Sequence, residues 1–434
     1  MPQSCKLPEP VSIRAASHKP RSLLRSTVTL SLGSATAQGI TLVATPILTR
    51  IYSPEDFGLL SIYVACTSVL ATIACGRFEL AILLPESDQD AACVTLLCLI
   101  LNLVFCTIIA LAAFLIPFSE IAIANSLDKI PLYLISLGTF ALCSINILTY
   151  WSNRFYRYRR MAASKAVGSL ATNATQTSIG IAAPQLGLIT GVIAGQIVSV
   201  AILATASLNK FYKVITLRGL IKNAREYKDY PLLSTWGALF DNAALQMPVF
   251  FVSKLHGEYA TGILGFTMRT LSLPTALLSP AISQVVHKKI VDSERGAPES
   301  NRPFILKTFS ILFCSTLPFI VATYLFGEQL FVFAFGKQWA EAGQIAWILS
   351  IAIAVRFSIS PLSSVLALKR NLKTGAAWQT LYLLTVTTTL TLSSTKTFTT
   401  LLYIFTVHES ILYSIYLWLI IRGTKTTTNK KCAE

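Results

Sequence analysis

From Phe57 to Cys75 the chain reads FGLLSIYVACTSVLATIAC, an apolar run long enough to cross the ~30 Å hydrocarbon core of a bilayer. A second apolar run ends just before it at Thr49, and only the turn RIYSPEDFG lies between them. Two such runs joined by a short polar turn read as a transmembrane hairpin. After the hairpin, Arg77 and Glu79 interrupt an otherwise apolar stretch that closes at Pro85. A charged pair flanked by apolar sequence is costly in lipid, so it is expected to face protein or water. Two positions apart on a helix, the side chains point about 200° away from each other and need separate partners.

The rest of the chain repeats the theme. Apolar residues make up 53% and charged residues 13%, with a mean hydropathy of +0.61. A soluble chain carries ~25% charged residues. About twelve spans are expected by length and flanking charge, near 27–49, 57–76, 91–117, 130–151, 166–187, 189–208, 232–253, 260–286, 308–326, 342–368, 375–394 and 399–421. The basic segment 1–26 has no apolar core or small-residue cleavage site, so the first span is expected to insert uncleaved.

The net charge of +16 is distributed unevenly. Lys and Arg concentrate in alternate segments, above all RFYRYRRMAASK at 154–165 and KFYKVITLRGLIKNAREYKDYP at 210–231. The opposite loops hold only Arg50, Lys129, Lys254, Lys337 and Lys396. This asymmetry places both termini in the cytoplasm by the positive-inside rule. It also accounts for the basic runs through topology and anionic headgroups, without nucleic acid as a partner. Nine cysteines give no CxxC pair and no metal-ligand spacing, and most, such as Cys66, Cys75, Cys98, Cys106 and Cys314, lie within spans as small hydrophobes.

An internal similarity appears at a shift of about 204 residues. Gly58-Leu59-Leu60-Ser61 corresponds to Gly262-Ile263-Leu264-Gly265, Glu55 to Glu258, and Pro46 to Pro248. Two six-span halves repeated in parallel are a common plan of secondary transporters, with the site between the halves. The expected organisation is a basic tail (1–26), a first six-helix lobe (27–208), an amphipathic linker (209–231), a second six-helix lobe (232–421) and a basic tail (422–434). Within the linker, Val214, Leu217, Leu220 and Ile221 recur at helical spacing, as in a surface helix on the cytoplasmic leaflet. The segment 327–343 is expected as a short interfacial helix anchored by Trp339.

No Ser-His-Asp, zinc or P-loop pattern is present, and of four histidines only His408 falls within a span. Binding and movement therefore fit better than catalysis. The residues that stand out are ionisable groups at membrane depth: Arg77, Glu79, Asp241, Arg269, Arg356 and the His408-Glu409 pair. Each costs roughly 2.5–3.5 kcal/mol at a span centre. One reading is interhelical pairing, for example Arg269 with Asp241. The other is a shared water-filled lumen holding an anionic headgroup, with Arg77, Arg269 and Arg356 as substrate ligands. Guanidinium binds phosphate bidentately, and every cation at depth here is arginine. Pro274, Pro280, Pro318 and Pro361 interrupt spans and supply kinks.

The stretches PILTRIYSPEDFGLLSIY, GRFELAILLP, YKDYPLL, GILGFTMRTLSLPTALLSPAISQV and FGKQWAEAG resemble the polysaccharide flippase branch of the multidrug/oligosaccharidyl-lipid/polysaccharide exporter superfamily over about residues 27–421. The resemblance implies an all-α polytopic membrane protein with two six-helix lobes around a central cavity. It implies a flippase, not an enzyme, moving undecaprenyl-diphosphate-linked oligosaccharide repeat units across the bacterial inner membrane. The pathway would be O-antigen, capsule or exopolysaccharide (lipopolysaccharide or related) biosynthesis, with the polysaccharide polymerase machinery as a partner. By position, Arg77 and Glu79 fall in the family-like GRFELAILLP and Arg269 in GFTMRTLSLP; Arg356, Asp241 and Glu409 rest on burial alone. No cofactor is implied beyond a coupling proton or sodium ion, with Glu79, Asp241 or Glu409 as its carboxylate. The expected mechanism is alternating access, the lobes rocking while the lipid tail stays in the bilayer. Two alternatives stand beside it. A cation-coupled drug exporter of the same superfamily would prefer an acidic, aromatic cavity. A membrane glycosyltransferase, polymerase or ligase would need a large catalytic loop that this chain lacks.

Overall fold

The computed structural model describes residues 20–115, 129–182, 184–205, 217–295, 301–365 and 372–425, and these are helical with no strand among them. In chain order the first lobe holds α1 (Pro20–Ile51), α2 (Pro54–Ile73), α3 (Asp88–Leu115), α4 (Leu132–Arg154), α5 (Tyr158–Ala182) and α6 (Pro184–Ala204). The short helix α7 (Leu217–Glu226) follows. The second lobe holds α8 (Thr235–Leu271), α9 (Leu273–Arg295), α10 (Arg302–Phe335), α11 (Ala340–Ile359), α12 (Leu372–Leu392) and α13 (Phe398–Lys425).

The α1–α2 hairpin closes as its sequence dictates. Ser53 caps α2: its hydroxyl accepts from the Asp56 amide (3.3 Å), and the Asp56 carboxylate accepts from the Ser53 amide (2.9 Å). Pro54 fills the first helical position, where no amide donor is needed. The linker forms the amphipathic helix the spacing predicts. Asn223 of α7 is buried and donates to Asp90 at the start of α3 (3.1 Å), so one face of the helix docks on the first lobe. Val214 lies outside the described residues.

Seven helices are apolar and long enough to cross a membrane on composition alone: α2, α3, α4, α6, α10, α11 with its flanking turns, and α13. The other long helices, α1, α5, α8, α9 and α12, pack among these. Their polarity has a structural reason, clearest in α5. It carries Ser164, Ser169, Thr172, Asn173, Gln176 and Thr177 and is sandwiched between α1 and α6 rather than turned wholly to lipid.

Two expectations are corrected. The span placed at 260–286 is not one helix. Gly257 adopts φ 79°, in the left-handed region that glycine enters without Cβ strain, and kinks α8 there. The second half of α8 then stops at Leu271, and α9 begins at Leu273. The segment 327–343 is not an interfacial helix either. α10 continues to Phe335, Gly336 (φ 104°) turns the chain, and a short 3₁₀ turn, Lys337–Trp339, drives Trp339 fully into the core. Its indole N–H donates to the Thr49 carbonyl (3.2 Å), and its ring lies against Phe57 and Phe266. A buried partner for the N–H explains why the indole leaves the interface.

The two lobes meet where α2 crosses the second half of α8. A Cβ on Gly58 would collide with the Glu258 carbonyl, and a Cβ on Gly262 with that of Pro54. These contacts are images of each other under the sequence shift, and Gly265 faces its own counterpart Ser61. The glycines of the repeat therefore mark a pseudo-twofold axis. Gly262→Ala should lower stability by roughly 1–3 kcal/mol through overpacking, whereas Gly39→Ala, where a Cβ meets open space, should change it by less than about 0.5 kcal/mol. Thermal unfolding of the two detergent-solubilised variants checks this; equal effects would remove the close contact.

Candidate functional site

Between the lobes, α1, α5 and α6 on one side and α8–α9 on the other border an open cavity of about 490 Å³. Gln38 and Thr41 (α1), Ser169 and Thr172 (α5), Gln196 and Ser199 (α6), and Ser272 line it with neutral hydrogen-bonding groups. Arg269, near the end of α8, is the one charged lining residue. Its side chain is open to the cavity and makes no hydrogen bond or ion pair among the described residues. Beyond Arg269 the space narrows to about 20 Å³, room for a single water, between Leu48, Phe57, Leu60, Leu188, Phe266 and Phe335.

Past that constriction the lobes are latched. The Gln338 amide donates to the carbonyls of Thr49 and Tyr52, the latter at 3.2 Å. Trp339 donates to Thr49, and Lys129 pairs with Glu258 (2.8 Å). The basic residues of 154–165 sit at the other end of the helices, beside Gly33 and Ser34 near the start of α1. The cavity is therefore sealed on the side away from the positive charge.

Arg356 occupies a different setting inside the second lobe. Its guanidinium donates to Glu409 (2.9 Å) and to Tyr382 (2.6 Å), while Tyr382 donates to the other Glu409 oxygen (2.8 Å). The Tyr413 ring lies under the guanidinium, 5.5 Å from its carbon. His408 sits 3.8 Å from Glu409 with both ring nitrogens buried and unpartnered. Asp241 on α8 lies within electrostatic reach of Arg356, Tyr413 and Tyr416 but forms no ion pair. The suggested Arg269–Asp241 pair is thus absent: Arg269 belongs to the wall shared with the first lobe, and Asp241, itself exposed, lies within reach of the Arg356 network.

Arg77 and Glu79 overturn the opposite-faces expectation. α2 ends at Ile73, Gly76 (φ 58°) and Arg77 (φ 60°) take left-handed conformations, and a 3₁₀ turn Phe78–Leu83 follows. With the helix broken, the two side chains meet at 3.3 Å. Cys75 donates its thiol proton to Glu79 (2.9 Å). Burial, reinforced by the neighbouring thiol, pushes the Glu79 carboxyl up to about 8. The pair lies outside the spans, on the α2–α3 connection. Arg154 pins that connection through Asp88 (3.2 Å) and the Ile82 and Glu86 carbonyls.

Sequence reasoning did not single out the neutral wall, the Gln338–Trp339 latch or Lys165. Lys165 donates to Ser34 (2.9 Å) one turn below Ser169 on the same face of α5. A helix with hydroxyls and amides at i, i+3 and i+4 inside a span-length segment was the available signal.

The fold is shared with solved transporters. The fold matches a lipid II flippase, MurJ, in an inward closed conformation with a TM-score of 0.70 at 14% identity, covering 91% of this chain and 87% of that one. It matches a multidrug resistance MATE family transporter of the MOP superfamily at 14% identity in two conformations. For the inward-facing form the TM-score is 0.66, covering 92% of this chain and 96% of that one. For the outward-facing form it is 0.61, with 93% and 97% covered. No curated protein matches the sequence. The family described as "Polysaccharide biosynthesis protein" matches residues 47–344, well over half of the chain. An all-helical, multi-pass membrane protein with the two-lobe transporter fold, the chain belongs to the polysaccharide biosynthesis protein family.

Proposed function

We propose that this protein flips polyprenyl-diphosphate-linked oligosaccharide units, in bacteria on undecaprenyl diphosphate, from the cytoplasmic to the periplasmic leaflet of the inner membrane for O-antigen, capsule or exopolysaccharide assembly. The observation that carries the reading is Arg269, an arginine without a counter-ion in a cavity between two lobes. A cation that is open to a cavity and has no partner among the described residues is stabilised by an anion that arrives, and guanidinium favours phosphate oxygens. The family description supports the pathway, and the lipid II flippase supplies a lipid-linked precedent for the fold. A cationic drug would instead meet a cavity whose one lining charge is positive.

In this reading the sealed end is periplasmic and the state is inward-facing, with the cavity on the side of the basic segments. Glu409 already holds the Arg356 counter-charge and a tyrosine donor, so it is poorly placed to exchange a coupling ion. Asp241, unpaired and close to that network, is the better candidate for a proton or sodium ion. Arg77 acts on the α2–α3 connection rather than on the headgroup.

Reconstituted in proteoliposomes with a fluorescent polyprenyl-diphosphate disaccharide as the probe, Arg269→Ala should slow flipping at least about tenfold, the loss of one charge-assisted phosphate contact. Arg269→Lys should keep part of the rate, because it retains the charge without the fork. A fully active, normally inserted Arg269→Ala protein would sink the reading.

The latch gives a second check. Cysteines replacing Thr49 and Gln338, oxidised to a disulfide, should stop transport, and a reductant should restore it. Undiminished transport with the bridge formed would exclude rocking at this end.

A further inference from the structure

The first-lobe wall carries more information than the charge beside it. Gln38, Thr172 and Gln196 line the cavity with side chains that hydrogen-bond to nothing among the described residues. The Gln196 amide oxygen is buried without a donor, a state that ordinarily costs stability. Beside them Ser169 and Ser199, which donate to the Ala37 and Ser164 carbonyls, belong to the same wall. This is a wall of neutral donors and acceptors, the complement of hydroxyl and amide groups rather than of charge.

The charges within reach are few. Arg269 lines the cavity, and Lys165 stands one helical turn, about 6 Å, along α5 from Ser169. Two cations balance the roughly two negative charges of a diphosphate diester and leave none over. In the second lobe Arg356 is neutralised by Glu409, and the unpaired group there, Asp241, is a carboxyl that supplies no positive charge. A carboxylate on the sugar would find no further cation among the described residues that line this cavity, and would enter it at the cost of an unpaired charge.

We infer that the glycan headgroup is uncharged, a hydroxyl- and N-acyl-bearing saccharide read by Gln38, Thr172 and Gln196 while Arg269 and Lys165 hold the diphosphate. This rests on the lipid-linked glycan reading and narrows it to a substrate class. The wall disfavours acidic sugars because it offers an extra carboxylate hydrogen-bond donors but no counter-charge.

The test compares two synthetic probes in proteoliposomes containing the full chain: a polyprenyl-diphosphate disaccharide of N-acetylhexosamine and hexose, and the same lipid with hexuronic acid in place of the hexose. The neutral probe should flip at least about tenfold faster. Equal rates, or a faster uronate, would overturn the inference and leave the flippase reading standing. If neither probe moves, both fall. Gln196→Arg, or Gln38→Arg should the first fail to insert, should raise the uronate-to-neutral rate ratio. A purely structural glutamine would leave that ratio unchanged, and such a result would remove the assignment to this wall.

Discussion

The architecture depends on one close approach, the crossing of α2 with the second half of α8. Helix backbones come near enough for a carbonyl of each to lie where the other's Cβ would be, which only glycine permits. In lipid, where tails are as apolar as leucine, the hydrophobic effect does little to join two lobes, and such packing replaces it. Around the glycines Phe57 meets Phe266 and Trp339 edge to face, and Asn242 ties α8 to the Ser68 carbonyl and the Thr72 hydroxyl. The lobes are thus joined along α2 and α8 and separated on the α1–α9 flank by the cavity.

That geometry decides the fate of each charge. An ion at a span centre costs roughly 2.5–3.5 kcal/mol, so it needs a partner or water. Arg356 has two protein acceptors and an aromatic face. Arg77 has Glu79 on a connection outside the spans. Arg269 alone among the three is left to the cavity.

Much of this was legible in the sequence, for identifiable reasons. The spans follow from apolar length, and the α1–α2 turn from SPED, whose serine and aspartate cap the helix locally. The repeat was visible in Gly58 and Gly262 because close packing restricts a position to one residue type. What stayed hidden depended on tertiary geometry. The meeting of Arg77 with Glu79 required left-handed backbone at a non-glycine residue, which no periodicity reports. Trp339 looked like an interfacial anchor because its carbonyl partner, Thr49, lies in the other lobe. The helices richest in serine, threonine and glutamine read simply as spans, since one sequence does not reveal which side of a helix faces lipid and which faces water.

The position of Arg269 connects packing to mechanism. It lies seven residues beyond Gly262 on the same helix, about 10 Å from the axis contact. A rotation of the lobes about that contact would close the α1–α9 flank and release the Gln338–Thr49 latch, whose Thr49 and Tyr52 lie just before Pro54. Groups near the axis move least. In the proposed cycle the cation stays near the pivot while the openings change around it, so a bound diphosphate keeps its counter-charge throughout. The neutral wall of α1, α5 and α6 shifts relative to Arg269 during the same rotation. Contacts to the sugar are then made and broken while the electrostatic contact persists, which lets release proceed without separating bare charges in a low dielectric.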